Sequence, residues 1–218
     1  LRSLEDIQKL SRDRVHDHLA PVYETVSRLA QDIPEQTALI GFAGAPWTVG
    51  VYMIEGRGGT DCSKILKWAD EAPDDFQVLM DLLVESTADY LIRQIESGAE
   101  IIQLFDSWAG VLNENQFRCW SIEPMQKIVK RLKQSFPEVP VIGFPRNVGT
   151  LAEAYVRETG VDGVSLDQAF QARFGAELDE DTLKDRHELV IVASRLDAST
   201  ERIVNYLSDS TIAINVLF

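Results

Sequence analysis

Residues 37–58 read T-A-L-I-G-F-A-G-A-P-W-T-V-G-V-Y-M-I-E-G-R-G, and the pattern of this stretch decides the fold class. The apolar run 37–42 is ended by small residues and a proline, after which Trp47, Val51 and Ile54 recur at helical spacing. That order reads as buried strand, tight loop and helix. Gly41, Gly44 and Pro46 shape a loop at the strand's C-terminal end, where backbone can lie close to a ligand. Phe42, Trp47 and Tyr52 stand ready to offer apolar walls and one hydroxyl. The same glycines and proline serve equally well as plain loop geometry, and the stretch alone leaves both readings open.

The pattern repeats along the chain. Residues 101–105 form a second buried strand, with Asp106, Ser107 and Trp108 at its C-terminal end. Further strands are expected over 139–144, 161–166, 189–193 and 212–217. Two helices joined near residues 11–18 precede the first strand, and a short amphipathic piece covers 63–68. Phe76, Leu79, Met80, Leu83, Leu91 and Ile95 mark a long helix that opens at Asp74 and Asp75 and stops at Gly98. Helical patterns over 113–120 and 122–132 are expected to break near Pro124, and one over 151–158 closes at Gly160.

Short continuous apolar strands separated by helices require parallel pairing with crossover helices, in either a doubly wound open sheet or a closed barrel. The open sheet would carry a G-x-G-x-x-G or G-K-[ST] phosphate loop after a strand, and none stands there. A barrel gathers its chemistry at the C-terminal ends of many strands. Residues 42–47, 106–108 and 145–147, with Asp167, Arg195 and Asp197, all follow strands. The expectation is therefore α/β, a TIM (β/α)8 barrel that is incomplete, with about six of the usual eight strands. Residues 1–218 are expected to be a single partial domain with a divergent part over 168–218. The chain starts at Leu1, ends inside an apolar run at Phe218, and is shorter than the about 250 residues typical of such barrels, so a fragment is expected.

A formal net charge of −14 argues against a nucleic-acid partner, which needs a basic stripe. Cys62 and Cys119 are isolated, without a C-x-x-C, and suit reduced thiols in a cytoplasmic protein. No run approaches the about eighteen apolar residues of a membrane span. His16 and His18 form an H-x-H pair, but two positions apart on a helix they do not share a face, so they are expected in solvent rather than on a metal. Arg57 sits in a glycine-rich loop, open to a substrate carboxylate or to water. Asp106 is open to capping a turn, and Ser107 to bonding backbone.

Two long motifs are specific together. G-F-A-G-A-P-W-T-V-G-V-Y-M-I-E-G (41–56) and Q-L-F-D-S-W-A-G (103–110) closely resemble the uroporphyrinogen decarboxylase family, as do I-G-F-P-R (142–146) and T-G-V-D-G-V-S-L-D (159–167). The resemblance implies a closed α/β barrel, usually a homodimer, that removes four acetate carboxyl groups from uroporphyrinogen III to give coproporphyrinogen III in haem biosynthesis. It implies no metal or organic cofactor. Protonation of a pyrrole carbon makes a cationic ring that accepts the electrons left by the departing carboxylate, and an aspartate near the pyrrole N–H groups stabilises that cation. The resemblance places that aspartate upstream of Leu1, so no catalytic residue is assigned within the chain. It assigns Tyr52 and Ser107 to substrate carboxylates and Phe42 to the floor of the cleft.

After residue 166 the sequence departs from the family pattern. L-D-Q-A, S-R-L-D-A and I-N-V-L-F stand where L-D-W-T, G-N-L-D-P and N-L-G-H-G are expected, and His187 does not replace the missing histidine. An octa-acid substrate in an acidic chain leaves Arg57, Arg146 and Arg195 as local cations to meet it. Two alternatives stand beside this reading. One is an inactive barrel fragment that only binds a partner. The other is a related barrel methyltransferase using cobalamin or another methyl carrier, which would need a zinc site of histidine and cysteine at strand ends, and neither cysteine follows a strand.

Overall fold

The structure, a computed structural model, describes residues 1, 3–11, 14–34, 37–56, 61–163, 188–192 and 213–217. Arg57, Asp167, His187, Arg195, Asp197 and most of the strand expected over 161–166 lie outside the described residues. The chain divides into two compact units, Leu1–Ala176 and Glu177–Phe218. In the second, β4 (Glu188–Val192) and β5 (Ala213–Leu217) pair in parallel, with Val190 opposite Asn215.

The first unit opens with α1 (Leu4–Gln8) and α2 (Val15–Asp32). It continues through β1 (Ile40–Gly44), α3 (Pro46–Glu55), α4 (Ser63–Glu71), α5 (Pro73–Glu96) and β2 (Ile101–Asp106). A 3-10 turn (Ala109–Val111), α6 (Glu114–Phe117), a π turn (Arg118–Ile122), α7 (Glu123–Ser135), β3 (Val141–Pro145) and α8 (Leu151–Thr159) complete it. Prolines open α3 and α5, where a missing N–H costs nothing, and Gly56 and Gly160 end α3 and α8 in the left-handed region.

The strands pair in parallel in the order β1-β2-β3. Phe42 lies opposite Gln103, and Phe105 opposite Phe144. Residues 162 and 163 extend this edge: Gly163 bridges Ile142 in parallel, and Asp162 N–H donates to the Val141 carbonyl at 2.9 Å. Alternation along the strands then sorts the side chains between two faces. Ala43, Ile102, Leu104 and Val141 are buried in the main core with the helices. On the opposite face Ile101 and Ile142 are buried with Ala38 and Ile40, while Phe42 and Phe144, nearer the C-terminal ends, remain 58% and 42% exposed.

The structure corrects several expectations. Pro124 does not break the helix. The Glu123 N–H reaches back to the Arg118 carbonyl, one residue further than in an α-helix, and this widened turn lets the chain run on into α7 with the proline in its first turn. Trp47 does not wall a cleft: it is fully buried, edge-on to Phe76, with its indole N–H donated to the Trp108 carbonyl at 3.1 Å. His18 is exposed as expected, whereas His16 is half-buried and hydrogen-bonded to the Tyr23 hydroxyl at 2.9 Å. β1 and β3 start and stop one to three residues later than the apolar runs, because pairing rather than hydropathy sets their ends.

Gly143 fixes how α8 meets β3. A Cβ there would lie 2.4 Å from the ring of Tyr155, which is fully buried beside Phe117. Overpacking of this kind costs about 1–3 kcal/mol, so Gly143→Ala should lower the unfolding free energy by that amount, read as a lower urea midpoint at an unchanged slope. The Tyr155 hydroxyl is buried without a hydrogen-bond partner among the described residues. Tyr155→Phe should therefore leave the midpoint unchanged or raise it, as measured in the same denaturation series.

Candidate functional site

Asp106 ends β2 on the helix-packed face and is fully buried. Its two carboxylate oxygens each accept a hydroxyl: Thr48 Oγ1 of α3 at 2.8 Å and Ser121 Oγ of the π turn at 2.6 Å. Thr48 Oγ1 in turn accepts the Trp108 N–H at 3.2 Å. The Asp106 carbonyl accepts the Arg146 N–H at 3.1 Å, and the Phe105 carbonyl accepts the Ala45 N–H at 2.9 Å. The segments that follow all three strands are thus tied to two adjacent residues. The Asp106 carboxylate, which also accepts the Thr48 backbone N–H, caps the start of α3 rather than the turn after its own strand.

Burial pushes the Asp106 carboxyl up to about 6, against the opposing pull of the Ser121 and Thr48 hydrogen bonds. The desolvated charge is tolerated because both donors are in place.

This network sets the direction of the residues singled out from sequence. Tyr52 follows Thr48 by four residues, one turn along the same face of α3, and is 48% exposed. Ser107 follows Asp106 and lines a recess of about 480 Å³ together with Tyr52, Trp108, Gly110, Val111, Arg146 and Asn147. Tyr52 and Ser107 are therefore brought together at the C-terminal edge of the sheet. Tyr52 meets the Trp108 ring edge-on at 6.5 Å.

Phe42 stands on the face of the sheet opposite the main core, which no helix covers among the described residues. Its ring meets Phe105 edge-on at 5.9 Å, and Phe105 meets Phe144 at 5.9 Å, so three neighbouring strands carry a continuous aromatic shelf. Phe105 and Phe144 were not singled out from sequence. The signal that finds them is positional: each strand carries a phenylalanine at or near its C-terminal end, on the parity opposite to the core.

A larger recess of about 750 Å³ lies among α1, α3 and α4, with Met53, Glu55, Lys64 and Trp68 in its lining. Its central carboxylate is already used: Glu55 accepts the N–H groups of Lys64 at 2.9 Å and Ile65 at 3.1 Å, capping α4. Among the described residues no three His, Cys, Asp or Glu side chains converge as metal ligands, and no helix is long and apolar enough to cross a membrane. Cys62 is buried ahead of α4 and Cys119 is exposed in the π turn, so neither stands at a strand end.

The raised carboxyl has a sign that can be measured. Between about pH 4 and 6 the folded chain keeps the Asp106 proton while the unfolded chain loses it, so this group's contribution to stability is full below that window and falls as pH rises through it. A shift of this size is on the order of 3 kcal/mol. Asp106→Asn should flatten the fall relative to the parent chain across that window, read from urea midpoints at each pH. An unchanged pH profile in the variant would show that the carboxyl titrates normally.

Residues 1–190 match the family described as uroporphyrinogen decarboxylase (URO-D). The uroporphyrinogen decarboxylase of Rhodospirillum rubrum is 51% identical over 176 residues, covering 81% of this chain and 51% of that protein. That of Hyphomonas neptunium is 52% identical over 169 residues, covering 78% and 49%. That of Mesorhizobium japonicum is 38% identical over 218 residues, covering 98% and 64%. The chain spans about half the length of the first two relatives. Among solved structures, a methyltransferase from Methanosarcina mazei superposes with a TM-score of 0.57 over 91% of this chain and 58% of its own, at 16% identity, which is a likeness of fold. With most of its length matched by the family pattern and half of its aligned residues identical to these bacterial enzymes, the chain belongs to the uroporphyrinogen decarboxylase family.

Proposed function

We infer that the chain forms one wall of the substrate cleft of a uroporphyrinogen decarboxylase, the enzyme that converts uroporphyrinogen III to coproporphyrinogen III. The observation that carries this reading is that an exposed aromatic shelf and a recess lined by Tyr52 and Ser107 both lie toward the C-terminal ends of the same parallel strands. Such a surface suits a macrocycle with apolar rings and a carboxylate rim. The rings would rest on Phe42, Phe105 and Phe144, and the rim would be met by Tyr52 and Ser107. Each decarboxylation breaks the bond between an acetate methylene and its carboxylate. The carboxylate leaves as carbon dioxide and the electron pair passes into a ring protonated at a pyrrole carbon; a proton added to the methylene then makes the methyl group, and loss of the proton from the ring carbon restores the neutral pyrrole. Tyr52 and Ser107 hold the macrocycle for this step, and the group that stabilises the cationic ring is expected from outside these residues.

The same reading takes the sheet as an arc of a (β/α)8 barrel. In support, β1, β2, β3 and residue 163 are added in order along one edge, whereas a doubly wound sheet reverses at a switch point. The aromatic face carries no described helix, as the interior of an incomplete barrel would not. A homodimer goes with this reading and rests on family membership alone.

The test is anaerobic binding of coproporphyrinogen, followed by quenching of tryptophan fluorescence. It is run on the chain itself and on the chain joined to the N-terminal segment of the Rhodospirillum rubrum relative. Tyr52→Phe and Ser107→Ala should each weaken binding about tenfold, the loss expected for one hydrogen bond to a charged group. Binding indifferent to both substitutions would remove these residues from the cleft.

A further inference from the structure

Of the three cations that the sequence offers to an acidic substrate, Arg146 is the one within the described residues, and it lines the recess beside Tyr52 and Ser107. Most of the described lysines and arginines pair with a carboxylate, as Arg118 does with Glu158 and Lys127 with Asp81. Arg146 has no ion pair among the described residues, although the chain carries 35 acidic residues against 21 basic ones. An arginine without a carboxylate partner among the described residues is open to receive one from a ligand.

Its position is built rather than incidental. The Arg146 N–H donates to the Asp106 carbonyl at 3.1 Å. Gly110 presses against the same segment, since a Cβ there would lie 2.8 Å from the Asn147 carbonyl oxygen and 2.9 Å from that of Arg146. Asn147 then turns the chain in the left-handed region, at φ 61°, a conformation that asparagine tolerates better than most residues. Backbone fixed at these points places Arg146 in the lining of the recess that holds Tyr52 and Ser107.

We propose that Arg146 is the cation of a carboxylate subsite in which the recess of Tyr52 and Ser107 takes one carboxyalkyl arm of the substrate. The proposal rests on the functional reading above and adds to it the charge that the two hydroxyls lack. A recess of about 480 Å³ suits an arm and its carboxylate, while the macrocycle lies outside it on the phenylalanine shelf. The guanidinium offers a planar pair of donors that a carboxylate can accept together, and the hydroxyls fill its remaining lone pairs.

The experiment titrates the chain, under argon, with coproporphyrinogen and with its tetramethyl ester, which keeps the macrocycle and loses the charges. Arg146→Gln should weaken binding of the free acid about five- to tenfold and leave the ester unchanged. Arg146→Lys should recover part of the loss, because a point charge replaces the fork. Lys130→Gln, which removes another cation without an ion pair among the described residues, should change neither. If Arg146→Gln binds the acid as tightly as the parent while Tyr52→Phe still weakens it, the arginine subsite is overturned and the functional reading stands. If the parent binds neither acid nor ester, both fall.

Discussion

The carboxylate of Asp106, held between the Thr48 and Ser121 hydroxyls, is the contact on which the mouth of the sheet depends. A parallel sheet fixes strands along their length but leaves the loops beyond their ends free to wander. Here the carboxylate holds the start of α3 through Thr48 and, by way of Thr48 Oγ1, the Trp108 N–H after β2, while the Ala45 and Arg146 N–H groups continue the backbone ladder onto the Phe105 and Asp106 carbonyls. The helix that follows is held too, since Ser121 lies where a π turn adds a residue ahead of Pro124. Burying a carboxylate costs energy, visible in its raised pKa, and the return is a set of loops whose exposed side chains share one frame.

The two faces of the sheet divide the work. The face covered by helices holds the core and the Asp106 network, and the opposite face changes character along its length, from buried Ile101 and Ile142 to exposed Phe42 and Phe144. Large exposed aromatics in contiguous contact are costly in water and mark a surface that something covers. Their edge-to-face contacts keep the shelf in one arrangement without a ligand. A rigid apolar shelf beside a polar recess discriminates by shape and by charge at separate places. For a ligand with an apolar middle and an acidic rim, that separation avoids desolvating charges against phenylalanine.

Much of this was legible in the chain. The three strands and most helices follow from apolar runs and periodicity, because each of these strands is buried on at least one face and helices such as α5 and α7 carry a core stripe. Tyr52 and Ser107 were legible as hydroxyls near strand ends. What escaped depends on contacts between distant segments. Pro124 reads as a break because the rule assumes an α-helical ladder, and the π turn changes which carbonyl is left over. Asp106 reads locally as a turn residue, yet its parity with Ile102 and Leu104 already places it on the core face, where only Thr48 and Ser121 make its burial tolerable. Trp47 and Tyr52 read alike as aromatic walls. The five-residue step between them, however, turns one into the core beside Phe76 and the other toward the recess.

A raised carboxyl at the edge of a cleft invites the role of proton donor, since perturbed groups gather at reaction centres. The geometry argues otherwise for Asp106. Both of its oxygens are taken by hydroxyls on the helix side, and the side chain has no surface exposed to solvent. Ser107, next in sequence, is the residue that lines the recess, so the backbone of this turn separates the carboxyl from the space a ligand would enter. A group so enclosed exchanges its proton only by opening the network that positions Thr48 and Ser121. Its perturbation is therefore a consequence of holding the loops together, and Asp106 is a positioning residue. The described side chains at this edge are aromatic faces, two hydroxyls and one guanidinium, and the Asp106 network lies behind them.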